Sequence, residues 1–189
     1  MATIRLADYR PAPYLIRHTA LTVQLFADQT LVAAELHCSP NPEAPVPSGA
    51  VPPPLALRGE GLELLGLQLD GEPLPPAAFR QEPGRLLLLA PPPRPFVLRS
   101  HVRIHPETNS SLEGLYVSGG MFTSQCEAEG FRHITFHPDR PDLLSRFRVR
   151  IEAEVASCPV LLSNGNCTET GTLPAAPNAA GAEPTPRHF

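Results

Sequence analysis

Lysine is absent from this chain: all 15 basic residues are arginines, set against 19 acids for a net charge of −4. The arginines are dispersed, and only Arg146, Arg148 and Arg150 form a group. A slightly acidic chain without a large basic patch gives no electrostatic footprint for nucleic acid. No apolar run approaches the ~20 residues that span a bilayer. Residues 1–10 lack the apolar centre of a secretory signal. The cysteines, Cys38, Cys126, Cys158 and Cys167, include no Cys-x-x-Cys pair, which removes the usual zinc-knuckle and redox motifs. Together these absences lead us to expect a cytoplasmic protein with reduced thiols and neither membrane nor nucleic-acid partners. In that setting the acceptor patterns Asn109-Ser110-Ser111 and Asn166-Cys167-Thr168 are chance matches. No internal repeat is visible.

A chain of 189 residues suffices for one domain with a real core. Helical periodicity is scarce. Only residues 141–146 suit a turn or two of helix, with Pro141 at the first helical position. The dominant period is two, the mark of strands. Leu21, Val23 and Leu25 alternate with Thr22 and Gln24, and Asp28-Gln29 turns the chain into residues 31–37. Residues 62–69 are closed by Asp70-Gly71, a strong hairpin pair. Residues 85–90 read as a short buried strand. Phe96, Leu98, Val102 and Ile104 share one face of the next run, and Arg99, His101 and Arg103 the other. Late in the chain, Phe147, Val149, Ile151, Ala153 and Val155 form a dry face opposite Arg148, Arg150, Glu152 and Glu154. The arginine group is then the wet side of a strand. Asn164-Gly165 signals a hairpin from residues 160–162 towards 169–173. Residues 40–54 and 172–186, rich in proline and alanine, read as exposed loops. Many short strands with one short helix predict an all-β, antiparallel two-sheet sandwich.

The densest polar stretch is Gln125-Cys126-Glu127-Ala128-Glu129-Gly130, just after Ser118-Gly119-Gly120. Read alone, it is an acid-rich turn facing water or a turn that holds a cation. The flanking runs are Asn109-Ser110-Ser111-Leu112-Glu113-Gly114-Leu115-Tyr116 and His133-Ile134-Thr135-Phe136-His137-Pro138-Asp139-Arg140-Pro141-Asp142. With them, the stretch resembles the amino-terminal domain of the bacterial aminopeptidase N family, zinc exopeptidases that release residues from peptide amino termini. The resemblance implies a saddle-like pair of packed sheets. It also implies that Glu127 is a buried carboxylate that binds the substrate's amino group, that Gln125 is the adjacent amide contact, and that the Glu127–Ala128 peptide is cis. A free amino terminus is a cation with three donors, and a carboxylate captures it by charge-assisted hydrogen bonds. A neutral internal amide offers no such partner. Glu129 either supports the loop or touches Arg132. Met121, with Phe122, either walls a side-chain pocket or packs ordinarily.

His133 and His137 have the spacing of the histidines in His-Glu-x-x-His, but Ile134 stands where the glutamate belongs. Ile134 and Phe136 alternate with Thr135 as in a strand. Four extended residues separate the histidines by about 13 Å, too far for one zinc with bonds near ~2 Å. The family's Gly-Ala-Met-Glu-Asn run is absent too. We therefore expect no metal on this chain. By resemblance, zinc and the general base lie on a separate catalytic domain, the missing intramolecular partner. Residues 1–189 then form one amino-terminal domain, apparently cut short, that recognises peptides with a free amino terminus and is inactive alone. The alternative is a stand-alone β-sandwich binding module without catalysis.

Overall fold

The computed structural model describes residues 5–44, 46–47, 49–176 and 185–189. The strands are β1 (Tyr14–Leu25), β2 (Thr30–Pro40), β3 (Leu55–Arg58), β4 (Glu63–Leu69), β5 (Glu72–Pro73), β6 (Phe79–Glu82) and β7 (Arg85–Leu88). They continue as β8 (Phe96–Ile104), β9 (Gly114–Ser118), β10 (Met121–Gln125), β11 (Arg146–Glu154), β12 (Thr172–Ala176) and β13 (Thr185–His188). An eight-stranded sheet runs β12-β13-β11-β1-β2-β8-β4-β5, beside a three-stranded sheet β3-β7-β6 and the hairpin β9–β10. Among the described residues, helix is confined to short 3-10 turns at Leu6–Asp8, Pro76–Ala78, Pro106–Thr108 and Gly130–His133. Among the described residues no helix is long and apolar enough to cross a membrane.

Alternation in the sequence becomes burial in the fold. Ile16, Val32, Leu36, Leu67, Phe96, Leu98, Val102 and Ile104 point from the large sheet into one core cluster. Leu55, Leu57, Leu86 and Leu88 fill it from the small sheet, and Phe136 joins them. A shift in the β1–β2 register between Ile16 and His18 lets Ile16 and Thr19 both face inward. The Asp70-Gly71 pair turns β4 into β5, with both residues at positive φ (51° and 92°), as a two-residue hairpin demands.

The all-β architecture agrees with the sequence pattern, but four local readings need correction. β1 and β11 pair in parallel, from His18 with Arg146 to Gln24 with Glu152, so the large sheet is mixed. Residues 141–146 form a turn rather than a helix. The Leu143 amide reaches the Arg140 carbonyl, and the Asp142 carboxylate is taken by Arg140 and by the Tyr9 hydroxyl, 3.0 Å away. Residues 172–186 are not simply a loop, because β12 and β13 pair with each other at both ends of that stretch; residues 177–184 lie outside the described residues. Asn164-Gly165 makes a bend that closes no hairpin, in an exposed segment.

The dry face expected for β11 is only partly dry. Ala153 is fully buried, whereas Phe147 is 52% and Val149 38% exposed. Glu152, expected in water, is buried. Its carboxylate accepts from Gln24 Nε2 at 2.8 Å and Arg150 Nε at 2.6 Å. Burial pushes its carboxyl pKa upward, but these two partners outweigh that and hold it below the ordinary carboxylate value.

Candidate functional site

The site is a turn hung on the β9–β10 hairpin. Gly119 and Gly120 close that hairpin at φ 55° and 81°, and the last pair of its ladder is Gln125 with Gly114. The chain then folds back through Cys126, Glu127, Ala128 and Glu129 into the 3-10 turn Gly130–His133. The Gly130 amide donates to the Cys126 carbonyl at 2.9 Å. A Cβ on Gly130 would sit 2.3 Å from the Gln125 carbonyl oxygen and 3.0 Å from the Gly114 nitrogen. A Cβ on Gly114, itself at φ 72°, would sit 2.5 Å from the His133 Cβ. These two glycines let the turn close onto the hairpin.

Gln125 and Glu127 are adjacent on the turn. Gln125 Nε2 donates to the Glu127 carbonyl at 3.2 Å, and the Glu127–Ala128 peptide is cis. Within this chain, however, Glu127 is exposed and not buried, because among the described residues nothing packs over the turn. Its carboxylate makes no hydrogen bond or ion pair with the described residues. Met121 is 68% exposed at the hairpin tip. Glu129 touches Arg132, with Oε2 3.2 Å from Nη1.

Arg132 is the part of the site that sequence reasoning undervalued. Its side chain is only 12% exposed. Nε donates to Asp139 Oδ2 at 2.7 Å, and Nη1 also lies 3.8 Å from Glu60 Oε1. Burial works against the guanidinium charge, but the Asp139 hydrogen bond and the surrounding carboxylates leave its pKa above the ordinary value. Asp139 stands at φ 50°, and its amide donates to His137 Nδ1 at 3.1 Å. Glu60 comes from the loop after β3, and its amide donates to the Arg132 carbonyl at 3.0 Å. Asp139 lies close to Arg132 in sequence, but nothing local linked Arg132 to Glu60, about seventy residues earlier.

The strand expected over Ile134 to Phe136 is absent. Gly130–His133 is a 3-10 turn, and the only pairing that follows is an isolated bridge between His137 and Arg58. Ile134, Thr135 and Phe136 are all buried, so the alternation in the sequence did not mark two faces. His133 turns its Nε2 to Glu113, 3.3 Å away, and Glu60, 3.9 Å away. His137 packs edge-on against Phe131 with ring centroids 4.9 Å apart, and burial lowers its pKa to about 4 against the opposing pull of Asp139. Among the described residues no three His, Cys, Asp or Glu side chains are grouped to hold a metal ion. The Cys126 thiol, half-buried, is pushed up by burial and by the charge of Asp139.

The arrangement is an exposed acid beside a glutamine amide, on a cis turn of a mixed β-sandwich. Residues 98–187 match the Peptidase M1 N-terminal domain. The chain is 46% identical over 170 residues to aminopeptidase N of Caulobacter vibrioides, covering 90% of this chain and 19% of that protein. It is 43% identical to aminopeptidase N of Escherichia coli, covering 88% of this chain and 18% of that protein. Among solved structures, Legionella pneumophila aminopeptidase A in complex with aspartic acid superposes with a TM-score of 0.83 at 28% identity, over 98% of this chain and 20% of that one. An M1 zinc metallopeptidase from Deinococcus radiodurans shares the fold, with a TM-score of 0.62 at 15% identity, over 93% of this chain and 38% of that one. Through residues 98–187 this chain belongs to the Peptidase M1 N-terminal domain family. It spans about a fifth of the length of the aminopeptidase N relatives it matches.

Proposed function

We propose that this chain is the substrate-amine-recognising part of a cytoplasmic zinc aminopeptidase that releases residues from peptide amino termini. The observation that carries the reading is the Glu127 carboxylate, which has no partner among the described residues while the neighbouring Glu129 is paired with Arg132. A protonated amino terminus supplies the missing cation and three donors. Gln125, whose amide already donates to the Glu127 carbonyl at 3.2 Å, keeps its own oxygen available to a second N–H of the same amine. The chain holds and orients the amine. A zinc ion held by a separate domain of the longer enzyme would supply the polarisation of the scissile carbonyl and the activation of water. That domain closing over Glu127 would exclude water and strengthen the pair, because a desolvated charge–charge contact is worth far more than an exposed one.

The test uses the longer protein that carries this domain. Glu127→Gln keeps the shape and removes the charge. We expect kcat/KM for an alanyl substrate to fall by on the order of 10²-fold, the cost of leaving an amine cation unpaired. An unchanged kcat/KM would sink the reading. The alternative, a stand-alone amine-binding module without catalysis, rests on the same unpartnered carboxylate.

A further inference from the structure

Five carboxylates lie on or beside the anchor turn: Glu60, Glu113, Glu127, Glu129 and Asp139, of which Glu113 lies 3.3 Å from His133 Nε2. One guanidinium deals with three of them. Arg132 binds Asp139 at 2.7 Å, lies 3.2 Å from Glu129 and reaches Glu60 at 3.8 Å. Only Glu127 is left out. The three engaged acids come from three different segments. Glu60 belongs to the loop after β3, Glu129 to the anchor turn itself, and Asp139 to the stretch beyond the Arg58–His137 bridge. Asp139 is aimed by its own backbone, whose left-handed conformation is supported by the bond from its amide to His137 Nδ1. The anchor turn is also tied to the body of the domain through Cys126 and Phe131, which pack against the core, and through the Glu60 amide, which donates to the Arg132 carbonyl; none of these contacts holds the acid-bearing residues 127–129.

We infer that Arg132 is a positioning residue for amine recognition: gripped by Asp139, it tethers the anchor turn through Glu129 and compensates the neighbouring acids, so that Glu127 alone is presented to the substrate cation. This rests on Glu127 being the amine anchor. Two consequences follow from the geometry. Without Arg132, Glu129 and Asp139 are uncompensated beside Glu127, and an incoming cation has competing partners. Without the Glu129 contact, the carboxylate of Glu127 loses its fixed distance from the scissile bond, and a small misplacement of an orienting group costs rate out of proportion to the contact removed. Arginine suits the task because its planar fork serves several carboxylates at once, which a lysine ammonium does in no fixed geometry.

The experiment is a double-mutant cycle in the longer protein, with kcat and KM measured for an alanyl substrate. Glu129→Gln is the safest arm, because its side chain is 70% exposed and its loss leaves the fold intact. We expect it to lower kcat/KM about tenfold, and Arg132→Gln to lower it further, with Arg132→Lys recovering part of that loss. In the Glu127→Gln background both effects should vanish, since there is no longer a carboxylate to position; a purely structural role would multiply through instead. If Glu127→Gln is impaired but Glu129→Gln is silent or acts independently of it, the tether is overturned and the anchor reading stands. A silent Glu127→Gln overturns both. Should Arg132→Gln fail to fold, the Glu129→Gln cycle decides alone.

Discussion

His137 shows how a single side chain can set a pH limit on this domain. It is buried to 6% exposure, its Nδ1 accepts the Asp139 amide, and Nε2, which then carries the proton, has no partner among the described residues. Charging the ring would place a second proton on the nitrogen that already accepts, and burial accordingly lowers the pKa to about 4. The unfolded chain has an ordinary imidazole near ~6.5. Because the folded value is the lower one, the unfolded state takes up the proton first as pH falls. The contribution of His137 to stability is therefore complete above about pH 6.5 and is lost as pH drops towards about 4, a range worth about 3 kcal/mol. Urea unfolding between pH 7 and pH 4 measures it. His137→Gln should be less stable at pH 7 and should lose that part of the acid sensitivity. An equally steep decline in the variant would assign the effect to other groups. In the sequence, His137 stood out only for its spacing from His133. Its burial depends on the bridge to Arg58, a partner about eighty residues earlier that no local pattern announces.

At the level of elements, alternation told which residues share a side of a strand but not which side is covered. β8 followed it faithfully because β2 and β4 flank it and the small sheet lies over its apolar side. β11 did not. Beyond its parallel partner β1 it pairs with β13 only at Ala153 and Glu154, so among the described residues Arg146 to Glu152 has one neighbour rather than two. Phe147 leans on Phe131 and His137, with centroids 5.7 and 6.2 Å away, while half of it remains exposed. Parallel pairing joins segments far apart in the chain, and proline-rich sequence hides β12 and β13; neither leaves a signal of period two. The packing difference has a measurable outcome. Leu98→Ala, at a position 1% exposed in the centre of the core, should cost about 3 kcal/mol. Phe147→Ala should cost about 1 kcal/mol despite deleting more atoms, because much of that ring is already in water. Chemical denaturation of the two variants checks the order, and a larger loss at Phe147 would mean that β11 is covered in solution.

For the whole molecule, the question is how much of amine recognition this chain can perform by itself. Gln125 and Glu127 stood out in the sequence because their run resembles a family pattern residue by residue. What the sequence did not disclose was their setting: the turn stands on a two-stranded hairpin, apart from the main sheet, with Glu127 in solvent. An exposed ion pair is worth only about 0–1 kcal/mol. Pairing an amine with Glu127 under these conditions corresponds to a dissociation constant above about 100 mM. Titrating this chain with alaninamide, followed by the amide resonances of residues 125–130, should therefore show shifts that do not saturate at 50 mM, a ceiling chosen roughly to lie below that constant. Adding zinc should leave peptide hydrolysis at background, since the described residues group no metal ligands around the anchor. Saturation in the millimolar range without turnover would mean that the chain completes its own amine pocket, and would favour the binding-module reading. Chelator-sensitive hydrolysis would instead place a catalytic metal on this chain. Non-saturation without hydrolysis leaves Glu127 as a device whose strength depends on being covered, which is why its substitution is informative in the longer protein and uninformative here.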